Sequence, residues 1–179
     1  MKHSIRFLMV GILVFFAHLS FAEEAPTLSA KQSIVINAPV SKVWEVVSDF
    51  GGLHTWFAPI LDTRITLGKN RQQGAIRLLT RASGTKVEER LIAYDPIEMS
   101  ATYTYVQGRP LAADYISTMK VTAVDGGSKV EWSATFRRLD YWSAKPTGAM
   151  DDEKLAAIYN KIYTMGLSSM KEKIESGQI

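Results

Sequence analysis

The sequence predicts an α+β domain in which one face of a single antiparallel sheet is laid against a long C-terminal helix. Two observations predict it. In Asp151 to Ser176 apolar residues recur at Leu155, Ile158, Tyr159, Ile162, Tyr163, Gly166, Leu167, Met170 and Ile174, spacings of three and four that fall on one face of a helix. From Ile60 to Arg137 the pattern instead has period two, broken by turn residues.

The elements follow in order. Glu23 to Ala30 reads as a flexible leader, and Gln32 to Asn37 as a first strand with Ile34 and Ile36 on one side. Ala38-Pro39 ends that strand, and Ser41 can cap a helix from Lys42 to Asp49. Gly51-Gly52 breaks it, and Leu53 to Phe57 has room for a further short helical turn before Pro59. Strands then run over Ile60–Leu67, Ala75–Arg81, Lys86–Tyr94, Met99–Val106, Tyr115–Val124 and from Val130 to Arg137. Their turns are Gly68 to Gly74, Ser83-Gly84, Asp95-Pro96, Gly108-Arg109-Pro110 and Gly126-Gly127. Ile76, Leu78 and Thr80 share one face of their strand, and Arg77 and Arg81 the other. Arg64, Arg77 and Arg137 read as solvated positions. Tyr103, Tyr105, Tyr115, Trp132 and Phe136 point towards the long helix. That helix has acidic residues, Asp151 to Glu153, where they complement its dipole. Lys171 and Lys173 sit at the other end, and Gly177 can supply the left-handed residue that stops it. At ~1.5 Å per residue it spans on the order of 35–40 Å, so its apolar stripe needs a broad partner such as a curved sheet.

The chain of 179 residues suffices for one domain, read here as 31–177, with no repeat and no linker to a second. Ahead of it, Lys2 and Arg6 precede an apolar run from Phe7 to Phe16 and a cleavage-like Ser20-Phe21-Ala22. That is the pattern of a secretory signal peptide over 1–22, with a mature start at Glu23 and a periplasmic or secreted address. No other run is apolar enough to span a membrane. There is no cysteine, which excludes disulfides, thiol nucleophiles and cysteine metal sites. The net charge of +3 falls to +1 without Lys2 and Arg6, and the charges are dispersed, so nucleic acid is not an expected partner.

Certain marks recur in order along the mature chain. They are Ala38-Pro39 with Val43-Trp44; Asp49-Phe50-Gly51-Gly52-Leu53 and Trp56; Gly74-Ala75-Ile76-Arg77; Glu89-Arg90-Leu91 with Tyr94-Asp95; Pro110, Tyr115 and Ser117; Val130-Glu131-Trp132; and Tyr159 to Leu167. Together they resemble the START/Bet v 1-like superfamily, also called SRPBCC or polyketide cyclase/dehydrase. The resemblance implies a helix-grip fold: a seven-stranded curved sheet around the C-terminal helix, two short helices after the first strand, and an apolar cavity between sheet and helix. Within the superfamily the chain is similar to MxaD-type periplasmic proteins, which implies an accessory role beside a periplasmic dehydrogenase or cytochrome. The plant abscisic-acid receptors share the frame. By that resemblance Ser83-Gly84 occupies the gate loop and Arg109-Pro110-Leu111 the latch loop. Glu89, Tyr115 and Ser117 match polar cavity-lining positions, and Phe57 stands where those receptors carry a ligand-anchoring lysine. That departure argues against an acidic ligand.

The candidate chemistry is sparse. After signal cleavage His54 is the single histidine, which rules out a His/Cys metal cluster, and no phosphate loop or nucleophile elbow is present. No cofactor is implied. Glu89 shares a strand face with Val87 and Leu91, so its carboxylate points inward and needs a partner. It is a candidate ligand anchor or acid/base, with a structural hydrogen bond to Tyr103, Tyr115 or another interior group as the alternative; His54 is the other candidate base. The candidate ligand-binding set is Phe57, Leu78, Glu89, Tyr103, Tyr105, Leu111, Tyr115, Ser117, Met119, Trp132, Phe136 and Tyr163. The expected function is binding of a small, mostly apolar or aromatic molecule; the alternatives are a cyclase or dehydratase and the accessory role.

Overall fold

The computed structural model describes residues 25–179, so the signal-peptide reading lies outside the described residues. The chain runs β1 (Leu28–Ile36), α1 (Val40–Ser48), α2 (Leu53–Trp56), β2 (Ile60–Leu67), β3 (Ile76–Arg81), β4 (Lys86–Asp95), β5 (Ser100–Gly108), β6 (Ala113–Val124), β7 (Gly127–Arg137) and α3 (Asp152–Glu175). The strands form one seven-stranded antiparallel sheet in the order β1-β7-β6-β5-β4-β3-β2. The strands from β2 to β7 pair in sequence order through hairpins, and β1 closes onto β7. This is the helix-grip arrangement, a curved sheet gripping α3, as the resemblance implied.

Some boundaries differ from the sequence reading. Leu28–Ala30, taken as leader, is already strand, paired with Phe136, Thr135 and Ala134. A Leu-Ser-Ala run carries no period-two signal, and it is the partner strand that makes it extended. Helix α1 starts at Val40 directly after Pro39, so Ser41 lies inside the first turn and does not cap it. Proline pre-sets the entry conformation there. In contrast α3 is capped as expected: the Asp151 carboxylate accepts from the Lys154 amide at 2.8 Å, and Gly177 has φ +73° just past the end.

Helix α3 buries Leu155, Tyr159, Tyr163, Gly166, Leu167, Met170 and Ile174 against the concave face of the sheet. It is also tied along β1. Asn160 Oδ1 accepts from Gln32 Nε2 at 2.8 Å, and Lys171 Nζ donates to the Val35 carbonyl at 2.7 Å. Gly166 is where the helix comes closest to the aromatic core. A Cβ there would stand 2.7 Å from the Trp132 ring and 3.4 Å from both Phe57 and Trp56. The helix gives up about 1 kcal/mol of propensity relative to alanine at that position, and the close approach is what it gains.

The segment between β7 and α3 has no regular structure but is fastened on one buried side chain. The Arg138 guanidinium, 1% exposed, donates to Asp152 Oδ1 at 2.5 Å, to Asp140 Oδ1 at 2.7 Å and to the Ser143 carbonyl at 2.8 Å. Asp140 in turn accepts from the amide and hydroxyl of Thr147, each at 2.6 Å.

Candidate functional site

Between α3 and the sheet lies a cavity of about 480 Å³. Its walls are mostly rings and aliphatic chains: Phe57, Leu79, Tyr105, Tyr115, Trp132 and Tyr163 among them. The turn at Ser83 and the exposed Met165 of α3 stand at its edge, and Leu111 comes from the loop before β6. The two loops are joined, since Arg81 Nη1 donates to the Arg109 carbonyl at 3.0 Å.

The polar group on the inner wall is an ion pair. Arg77 and Glu89 stand directly opposite in the β3–β4 register. Nε and Nη2 of Arg77 reach Glu89 Oε2 at 2.8 and 2.6 Å, with the two side chains 6% and 5% exposed. Arg77 Nη1 donates to the Phe50 carbonyl at 3.0 Å. The guanidinium also lies against two rings, its carbon 4.1 Å from the Phe50 ring centre and 4.8 Å from that of Tyr103. Arg77 is therefore a correction: it is not solvated but is the buried partner that the Glu89 carboxylate requires. Arg64 does stay exposed, and Arg137 is partly covered, with its guanidinium 5.5 Å from the Tyr141 ring.

Around the pair, the tyrosines satisfy one another. Tyr115 and Tyr163 hydroxyls lie 3.0 Å apart, and those of Tyr105 and Tyr159 3.3 Å. The Trp132 indole N–H is shared between Tyr103 Oη at 2.9 Å and Ser117 Oγ at 3.0 Å. Rings stack above these bonds, with Tyr105–Tyr115 centroids 4.3 Å apart and Trp132–Tyr163 4.4 Å apart. Burial raises the pKa values of Tyr103, Tyr105, Tyr115, Tyr159 and Tyr163 above the ordinary phenol value, so all five are neutral hydroxyls.

Of the expected ligand-binding residues, Phe57, Glu89, Tyr103, Tyr105, Leu111, Tyr115, Trp132 and Tyr163 line the cavity. Four do not. Leu78 faces the outer side of β3, between Arg64 and Glu88 in register, and Leu79 lines the cavity instead. The alternation was right and the face inverted, because a buried arginine reads as a solvated one. Met119 lies at a separate crevice of about 20 Å³ beside Phe50. Phe136 is fully enclosed, with its ring 4.2 Å from that of Tyr159. Ser117 is also fully enclosed and acts behind the wall, holding Trp132 and Tyr163. His54 is exposed on α2 and does not line the cavity. Among residues not anticipated, Tyr159 could have been found from its position one helical turn before Tyr163. Arg77 could have been found because it and Glu89 are equidistant from Ser83, the centre of their hairpin. Among the described residues no group of three His, Asp or Glu is placed to hold a metal ion, and no helix is long and apolar enough to cross a membrane.

The sequence model of one family, described as polyketide cyclase/dehydrase and lipid transport, matches residues 27–175. The chain belongs to this family. Solved structures similar to this family member include the protein XoxI from Bacillus cereus, at 25% identity and TM-score 0.69, covering 81% of this chain and 94% of that one. A putative uncharacterized protein from Bacillus thuringiensis matches at 26% identity and TM-score 0.68, covering 80% and 96%. Ara h 8.0201 matches at 20% identity and TM-score 0.64, covering 84% and 99%, a likeness of fold alone. The helix-grip frame and the START/Bet v 1-like membership are thereby established for the family member. A search of curated proteins finds no match.

Proposed function

We propose that this protein binds one small, mostly apolar or aromatic molecule between its sheet and α3, with Glu89 and the tyrosine hydroxyls orienting it. One observation carries this reading: the cavity of about 480 Å³, walled by rings and aliphatic chains around a single buried ion pair. Small-molecule sites have this size and this balance of apolar wall to few polar groups. The family description, which includes lipid transport, supports the same reading. Binding is favoured over proton-transfer chemistry because neither candidate base is placed for it. His54 is outside the cavity, and Glu89 already holds a guanidinium on one oxygen.

The test is uptake of N-phenyl-1-naphthylamine, whose fluorescence rises in apolar surroundings. Saturable uptake of one molecule per chain is expected, weakened at least about tenfold in Leu79→Trp, which puts an indole into the space a ligand needs. No saturable uptake by the parent protein, or undiminished uptake by a folded Leu79→Trp variant, would overturn it.

Export to the periplasm or beyond belongs to the same proposal, supported by the charged start, apolar run and small-residue site within 1–22. Intact-mass measurement of the protein from a periplasmic extract should show Glu23 as first residue. An uncleaved chain confined to the cytoplasm would reject that address.

A further inference from the structure

Glu89 is 4% exposed, yet only one of its carboxylate oxygens is used. Both Arg77 donors end on Oε2. Among the described residues none donates to Oε1. Among the described residues every enclosed side-chain polar atom has a partner, so Oε1 is not sealed in; it opens onto the cavity that Glu89 lines. The cation beside it is already engaged with Oε2. Arg77 also donates through Nη1 to the Phe50 carbonyl and lies against the Phe50 and Tyr103 rings. What the inner wall presents is thus a carboxylate oxygen that can only accept. The phenols around it both donate and accept. Arg81, the other cation on the wall, is half-buried, belongs to the Ser83 end of β3 and is engaged with the Arg109 carbonyl.

Resting on the binding reading above, we infer that the end of the ligand that enters deepest is an uncharged hydrogen-bond donor, a hydroxyl or N–H, received by Glu89 Oε1. A deep carboxylate or phosphate would meet an anion whose counter-charge is already committed. An ether or a hydrocarbon at that point would leave a buried anionic oxygen without a donor, the costlier half of the asymmetry in hydrogen bonding.

Matched probes decide it on the unmodified protein: 2-naphthol against 2-methoxynaphthalene, and indole against 1-methylindole, each titrated by displacement of N-phenyl-1-naphthylamine. Members of each pair share their ring system and differ in the donor. The donor-bearing member should bind tighter by on the order of tenfold to a hundredfold, the range of a hydrogen bond to a charged group. In Glu89→Gln, whose carbonyl can still receive Arg77, that ratio should fall to near one, because an amide N–H₂ then faces the cavity. Equal affinity within both pairs on the parent protein overturns the inference while leaving the binding reading intact. So does a ratio unchanged in a folded Glu89→Gln variant. Failure of every probe, N-phenyl-1-naphthylamine included, overturns both.

Discussion

Replacing Arg77 by Met is expected to cost the fold about 3–5 kcal/mol, because it strands the Glu89 carboxylate without its partner in an apolar interior. The single substitution also removes the bond to the Phe50 carbonyl and the cation's contacts with the Phe50 and Tyr103 rings. Replacing both partners, as Arg77→Met with Glu89→Leu, should recover most of that loss, since the desolvation cost of two ions disappears with them. Urea unfolding measures both: the midpoint falls steeply in the single variant, returns in the double one, and the slope stays constant. A single-variant change within about 0.5 kcal/mol, the level of an ordinary surface substitution, would show that the pair is not buried as described. The comparison also separates stability from function. If the pair adds little net stability over apolar residues, what it contributes is the polar atom it presents to the cavity. A double variant that folds well should then lose the preference for donor-bearing probes.

The same pair shows how far the sequence carried. The long helix and the six period-two strands were legible because each has an amphipathic face repeated over many residues. Noise at one position does not alter such a pattern, and the element order followed directly. Register was less legible. In β3 the apolar Ile76 and Leu78 outweighed Arg77 as an indication of the inner face, and the inner face is in fact Arg77, Leu79 and Arg81. Polarity marks exposure only when a buried partner is absent. The inward position of Glu89 is legible from Val87 and Leu91 on its face, whereas its pairing with Arg77 across the hairpin is not. Inward aromatics were placed correctly as a set, yet which of them border empty space was not legible. Phe136 and Tyr115 alternate identically along their strands, and only Tyr115 faces the cavity. The difference lies in what α3 puts opposite them, a property of packing between elements distant in sequence.

The protein should also unfold cooperatively in alkali, about one to two units above pH 10, and the tyrosines are the reason. Burial raises the pKa values of Tyr103, Tyr105, Tyr115, Tyr159 and Tyr163 above the value of 10.0 that the unfolded chain offers. A folded pKa raised above the unfolded one gives stability that is complete below the unfolded pKa and is lost as pH climbs past it. The unfolded chain then releases protons that the folded one retains. Each retained proton costs about 1.4 kcal/mol per pH unit, so five linked phenols remove up to about 7 kcal/mol per unit. Against a total stability on the order of 5–15 kcal/mol, one to two units above pH 10 suffice. Phenolate absorbance near 295 nm and far-ultraviolet circular dichroism should therefore change together in one transition. Ionisation of these five rings through pH 10 with the dichroism unchanged would mean that water already reaches their hydroxyls. A bound aromatic probe should move the transition upward by mass action, because it occupies the native cavity and has no site on the unfolded chain.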